Sequence, residues 1–162
     1  YIGRNQGDKL LASNIAFFSK ALHSARNPRS CIEFGANIGM NLRALKLIYP
    51  EQAQSAVEIN PDAAAQLRTI LPPANVFETS IVDFLPSSMF DLVLIKGVLI
   101  HINPTLLPEV YDVLYRAAGR YLLVTRELAE QVRAIDGHLL ALLVDPDAAG
   151  GDDDGVPDDL VW

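Results

Sequence analysis

The sequence predicts an α/β fold with a mostly parallel β-sheet, and three observations lead to this prediction. Short apolar segments alternate with helical segments from residue 8 to residue 124. The run Phe90–Lys96 is almost continuously apolar, which is typical of a strand covered on both faces. A glycine-rich turn, residues 35–39, joins a strand to a helix. This alternation predicts right-handed crossovers between parallel strands.

The elements follow in chain order. Apolar residues at helical spacing predict a first helix over residues 8–26, which Asn27 and Pro28 end. In the third helix Asn60 can cap the amino end, and Pro61 suits the first turn. Gly119 is expected to end the last of these helices. The other helices are predicted over residues 40–49, 60–71 and 104–118, and the strands over Ser30–Phe34, 55–59, 75–78, Phe90–Lys96 and 121–124.

The pattern changes after Thr125. Residues 127–143 are compatible with one more helix, although Gly137 interrupts it, and residues 145–162 are rich in Asp, Gly and Pro. We therefore expect an incomplete domain over residues 1–126, then an extra helix and a disordered acidic tail over 127–162. The chain begins at Tyr1, as expected of a fragment or a processed protein.

Charge and composition exclude several classes of partner. The net charge is -7, yet the last eighteen residues hold seven Asp, so the rest of the chain is near neutral and has no basic field for nucleic acid. No apolar run reaches the roughly 20 residues that span a bilayer. The acidic run 152–159 lacks the terminal Glu of an EF-hand, and no metal site is predicted. The single cysteine, Cys31, is expected to be buried and inert, which favours a cytoplasmic location.

The glycine-rich turn predicts a nucleoside site. Gly35 and Gly39 allow a sharp bend and close approach of a ligand to the backbone. Glu58 closes the second predicted strand about 20 residues later, where an acid can accept hydrogen bonds from ribose hydroxyls. A dinucleotide needs G-x-G-x-x-G, but Asn37 replaces the middle glycine and Met40 and Asn41 follow Gly39. The turn is therefore better suited to S-adenosylmethionine (SAM), which has no phosphate.

These segments resemble a known family. Glu33-x-Gly35-x-x-x-Gly39 looks like the first motif of class I SAM-dependent methyltransferases. Residues 56–60 resemble the second strand of that family with its ribose-binding acid, and residues 90–102 resemble the fourth strand and the segment after it. The resemblance is closest to small methylases associated with pseudaminic acid biosynthesis, a bacterial glycan pathway. Residues 1–5 resemble the segment that precedes the first helix in those methylases.

The resemblance implies a Rossmann-like fold of strand order 3-2-1-4-5 that lacks the final strands, and a SAM cofactor. It also implies a small-molecule or sugar-related acceptor. His101 is the candidate catalytic base, for an acceptor hydroxyl or amine. The candidate cofactor-binding residues are Arg4, Glu33, Gly35, Ala36, Asn37, Gly39, Glu58, Ile59, Ser80, Ile81 and Lys96.

Several of these candidate residues also have a simpler, structural interpretation. Glu33 could only tie the turn together, His101 could be a packed loop residue, and Lys96 could be a solvated strand end. The family often places an adenine-binding acid where Ser80 stands, so Asp83 is a second candidate. Tyr1, Arg4 and Asn5 could form a lid or a frayed terminus, and Asp91, at the far end of its strand, is expected to be structural. Two other functions remain open, a nucleotide-binding oxidoreductase and an inactive truncated remnant.

Overall fold

The computed structural model describes residues 7–125 and the backbone of residues 141–142. The predictions for Arg4 and its neighbours, for the acidic tail and for most of the extra helix lie outside these residues. The helices are α1 (Asp8–Ala21), α2 (Met40–Ile48), α3 (Pro61–Leu67) and α4 (Leu107–Ala117). The strands are β1 (Ser30–Phe34), β2 (Ala53–Val57), β3 (Val76–Phe77), β4 (Phe90–Lys96), β5 (Ala118–Thr125) and β6 (Ala141–Leu142). Single 3-10 turns cover Pro73–Asn75, Leu99–His101 and Pro104–Leu106.

The sheet has the order β3-β2-β1-β4-β5-β6. The first five strands are parallel, so the predicted order 3-2-1-4-5 and the parallel arrangement are confirmed. Phe34 at the end of β1 is paired with Val57 of β2 on one side and with Ile95 of β4 on the other. The chain leaves β1 toward β2 and returns to the other side at β4. A ligand crevice is expected at such a switch point, beyond the carboxyl ends of the strands.

The sheet is covered by helices on both faces, and its side chains alternate between two cores. Leu92 and Leu94 of β4 pack with Phe18 and Leu45 on the face that α1 and α2 cover. Val93 and Ile95 pack on the opposite face with residues of α4. The apolar run of β4 is therefore buried on both sides, as its sequence predicts.

Asn60 and Pro61 begin α3 as predicted. The Asn60 side chain accepts hydrogen bonds from the backbone N–H groups of Asp62 and Ala63, and Pro61 is the first helical residue. A capped start of this kind fixes the direction in which the chain leaves β2.

Several predicted boundaries were wrong. The second strand is Ala53–Val57 instead of residues 55–59, because pairing with β1 begins at Ser30 and ends at Phe34. This pairing leaves Glu58 and Ile59 in the loop beyond the strand. The first helix ends at Ala21 instead of residue 26, since Leu22 leaves helical dihedral angles (φ -107°, ψ 16°).

At the other edge of the sheet, α4 ends at Ala117 and Gly119 lies inside β5, where a register shift opposite Phe90 and Leu92 accommodates it. β6 pairs antiparallel with β5. Ala141–Leu142 is therefore a strand where the sequence predicted the end of a helix, because the free edge of β5 supplies the hydrogen bonds that two extended residues need.

Candidate cofactor-binding cleft

Two adjoining cavities lie beyond the carboxyl ends of β1, β2 and β4. The larger, of about 450 Å³, has walls of mixed polarity and is called the polar cavity. The smaller, of about 310 Å³, is mostly apolar and is called the apolar cavity. Both are lined by Gly35, Glu58, Ile59, Val98 and His101, so together they form one cleft. Its size is that of a small-molecule site.

The turn after β1 forms the floor of this cleft. Gly35 (φ 70°), Asn37 (φ 50°) and Gly39 (φ 79°) all have left-handed backbone dihedral angles. The N–H groups of Gly35 and Ala36 both donate to the carbonyl of Val57, at 2.8 and 3.2 Å, which fastens the turn to the end of β2. Asparagine tolerates the left-handed region better than most residues that carry a Cβ. The turn therefore keeps its bend without the middle glycine.

Glu58 lies at the boundary of the two cavities, and its carboxylate is held at both oxygens. Oε2 accepts the backbone N–H of Asn37 at 2.7 Å, and Oε1 accepts that of Asn60 at 2.8 Å. The side chain is 8% exposed, and the residue's own N–H donates to the carbonyl of Phe77. A carboxylate oxygen accepts more than one hydrogen bond, so each can still take a ligand hydroxyl. The acid is thus fixed in position before any ligand arrives.

Glu33 lies beneath the polar cavity and does not line it. Its Oε1 accepts the Asn41 side-chain amide at 2.6 Å, whereas Oε2 is buried and has no hydrogen-bond partner in the described part of the chain. Burial raises the pKa of Glu33 to about 8, although the hydrogen bond from Asn41 and the charge of Lys96 lower it and Glu58 raises it. The side chain therefore holds a proton at neutral pH.

Lys96 and His101 lie on the side of the cleft formed by β4 and the loop after it. Lys96 lines the polar cavity, and its Nζ lies 5.7 Å from the centroid of the Phe17 ring. His101 is exposed at the junction of the two cavities. Lys96 is therefore part of the wall of the polar cavity, and the imidazole of His101 is open to molecules in either cavity.

The remaining candidates fall into three groups. Ser80 and Ile81 line the apolar cavity, whereas Asp83 is exposed and does not line either cavity. Gly39 lies outside the lining, where a Cβ would come within 2.6 Å of Ile70 Cδ1. The cofactor role of Arg4 stays a prediction outside the described residues.

The cleft also contains residues that the sequence did not assign. Asn14 of α1, Asn41 of α2 and Val98 after β4 line the polar cavity. Asn14 stands four residues after Leu10 and four before Phe18, so a polar residue on the apolar face of a helix was the available signal. Nothing in the sequence marked Val98, which reaches Gly35 only through the pairing of β1 with β4.

Two searches of the described residues give negative results. No group of three or more His, Cys, Asp and Glu side chains is close enough there to hold a metal ion. The helices in that part of the chain are too short or too polar to cross a bilayer.

A parallel sheet of order 3-2-1-4-5, a glycine-rich turn after β1 and an acid after β2 define the Rossmann-like class I methyltransferase fold. Solved structures with this fold include the sugar N-methyltransferase KedS8 from Streptoalloteichus sp. ATCC 53650, with a TM-score of 0.65 and 18% identity over 83% of this chain and 55% of that chain. SAM-bound CalS10 from Micromonospora echinaspora, an amino pentose methyltransferase, gives a TM-score of 0.66 and 15% identity over 83% and 58%. The plantazolicin methyltransferase BpumL with S-adenosylhomocysteine gives a TM-score of 0.57 and 17% identity over 73% of this chain and 47% of that chain.

The chain spans about half the length of these structures. No protein-family model and no curated protein matches it. At these identities the likeness shows the fold alone.

Proposed function

We propose that the chain is the cofactor-binding part of a SAM-dependent methyltransferase, which acts on a small-molecule, sugar-related acceptor. The observation that carries this proposal is the Glu58 carboxylate, fixed by the amides of Asn37 and Asn60 at the boundary of the two cavities. From that position it can accept both hydroxyls of a ribose.

The rest of the cleft fits the same cofactor. The apolar cavity, with Ile59, Ser80 and Ile81, suits the flat adenine base. The polar cavity suits the charged amino-acid end. A dinucleotide fits less well, because Asn37 places a side chain where a pyrophosphate needs a bare backbone.

When bound, SAM supplies a methyl group that its positive sulfur has already activated. The chain's own part is to hold the nucleoside at Glu58 and to leave the junction at His101 open for an acceptor. Holding the acceptor in line with the methyl group supplies much of the rate enhancement when the methyl group is already reactive. His101 would take the proton of an acceptor that arrives as an alcohol or an ammonium ion.

The acceptor is proposed from two sources. Sugar methyltransferases are among the structures with this fold, and the sequence resembles methylases associated with pseudaminic acid biosynthesis. Assignment to that pathway, a cytoplasmic location and a domain boundary near residue 126 are parts of the proposal that rest on the sequence.

The decisive test is titration calorimetry on the 162-residue chain with SAM, S-adenosylhomocysteine and NAD⁺. We expect both sulfur nucleosides to bind and NAD⁺ not to bind. Glu58→Ala should weaken binding about ten-fold or more, because hydrogen bonds to a charged group are lost. Glu78→Ala is the matched control, since Glu78 is half exposed and pairs with Arg68 on the surface. Binding of NAD⁺ alone would favour an oxidoreductase, and binding of none of the three would end the proposal.

A further inference from the structure

Asn14 of α1 is a buried polar residue on the wall of the polar cavity. It is 5% exposed and lines the polar cavity, and its side chain makes no hydrogen bond to any described residue. A side-chain amide carries two donor hydrogens and an acceptor oxygen, and burying them unpaired is unfavourable. Because Asn14 lines the polar cavity, a ligand there can reach this amide.

Asn41 of α2 lines the same cavity and is held from below. Its Nδ2 donates to Glu33 Oε1 at 2.6 Å, and Glu33 is 1% exposed. This bond fixes which way the amide points. The Asn41 Oδ1 makes no hydrogen bond to a described residue and is available to a ligand.

The polarity of the cleft gives a bound nucleoside one direction. The apolar cavity suits the base, and Glu58 at the boundary suits the sugar. Whatever extends from the sugar then lies in the polar cavity, which Asn14 and Asn41 both line. The two amides offer both donor N–H groups and acceptor oxygens, which match the carboxylate and the ammonium of a zwitterion.

We propose that Asn14 and Asn41 bind the α-amino-acid end of the cofactor, and that Glu33 orients Asn41 for this task. The proposal rests on the proposed function and deepens it. It assigns two residues that determine whether the cleft selects an amino-acid-bearing nucleoside over one that lacks this group.

The test compares S-adenosylhomocysteine with 5′-methylthioadenosine, which has the same base, sugar and sulfur but no amino acid. Asn14→Ala should weaken S-adenosylhomocysteine binding about ten-fold while changing methylthioadenosine binding less than about two-fold. Asn14→Leu keeps the branched shape and the number of heavy atoms and should give the same split, so loss of packing in the alanine variant cannot explain the result. Ser13→Ala, an exposed neighbour on α1, is the matched control and should bind both ligands as the parent does.

The positioning role of Glu33 has its own variants. Glu33→Gln retains an oxygen that can accept from Asn41, so it should bind S-adenosylhomocysteine within about two-fold of the parent at neutral pH. Glu33→Leu removes that oxygen and should lower S-adenosylhomocysteine affinity selectively. If Glu33 had a purely structural role, Glu33→Leu would lower the affinities for S-adenosylhomocysteine and methylthioadenosine equally.

The outcomes separate the two proposals. If the parent binds both ligands and the Asn14 variants weaken both equally or neither, the inference is overturned while the proposed function stands. If the parent binds neither ligand, the proposed function fails and the inference fails with it. Thermal melts of each variant identify any that do not fold, and if Asn14→Ala is one of these the binding comparison is made with Asn14→Leu.

Discussion

Val98 fills the space in which a side chain on Gly35 would lie. A Cβ built on Gly35 would come within 2.5 Å of Val98 Cγ2, and Gly35 also has a φ of 70°. The contact joins the turn after β1 to the loop after β4 directly beneath the cleft. Gly35 is thus required twice, for its backbone angle and for the absence of a side chain.

Gly35→Ala should destabilise the fold by about 2–4 kcal/mol, from the left-handed backbone and the forced contact together. Urea denaturation measures this loss. The double variant Gly35→Ala/Val98→Ala removes the contact but keeps the backbone strain, so it should recover part of the loss. A single variant as stable as the parent would contradict this account of the turn.

Glu33→Gln should change how stability depends on pH. The folded-state pKa of about 8 lies above the ordinary value of 4.5, so the folded chain binds the extra proton between these limits. Stability therefore falls as pH rises through this window, by up to about 1.4 kcal/mol per pH unit, and the loss is complete above the folded-state pKa. Glutamine imitates the protonated acid at every pH.

Thermal melts at about pH 5 and about pH 9 test this difference. The parent should lose more stability between the two than Glu33→Gln does, since other titrating groups are common to both proteins. Equal losses would show that Glu33 is already ionised at neutral pH.

Asn60→Ala should remove about 1 kcal/mol of stability, because the cap of α3 loses its acceptor for the N–H groups of Asp62 and Ala63. Asn60→Asp keeps an acceptor oxygen and should retain most of the stability. The Asn60 backbone N–H still reaches Glu58 in both variants, so neither removes that support. Urea denaturation of the two variants side by side is the measurement, and an equal loss in both would exclude capping as the cause.

Asp91→Ala should lower the stability of the fold without changing the affinity of the cleft for its ligand. Asp91 lies at the amino end of β4, far from the cleft. Its Oδ2 accepts the backbone N–H of Arg29 at 2.6 Å and lies 4.0 Å from the Arg120 guanidinium. Loss of this acceptor should cost about 1–3 kcal/mol in urea denaturation. Calorimetry should give an unchanged Kd for S-adenosylhomocysteine. A weakened Kd in a fully folded variant would contradict the structural role predicted for Asp91.

Much of the fold could be predicted because its signals are local. The apolar run of β4 and the cap at Asn60 depend on residues close in the chain, and the structure has both. The end of β2 depends instead on which residue of β1 lies opposite Ala53, and no local pattern contains that information. This is why Glu58 was placed inside a strand when it lies just beyond one.

The residues of the cleft also differ in whether a local sequence pattern identifies them. Gly35, Asn37 and Glu58 were predicted as cofactor-binding residues because a bend and an acid at a fixed distance have a recognisable spacing, and all three line the cleft. Asn14 and Asn41 were not assigned to the cleft, because the one local signal, a polar residue on the apolar face of α1, does not show what either side chain faces. Glu33 was also predicted as a cofactor-binding residue, but its buried Oε2 and its raised pKa depend on burial in the folded chain.

The sequence by itself determined the alternation of strands and helices, the bend after β1 and the acid after β2, because each follows from the conformational preferences of neighbouring residues. Only the tertiary structure decided that Val98 lies against Gly35, that Asn37 donates to Glu58, and that Asn14 and Asn41 line one cavity. These contacts join residues 21 to 63 positions apart, or on separate helices, and such distances close only when the whole sheet has formed and both of its faces are buried.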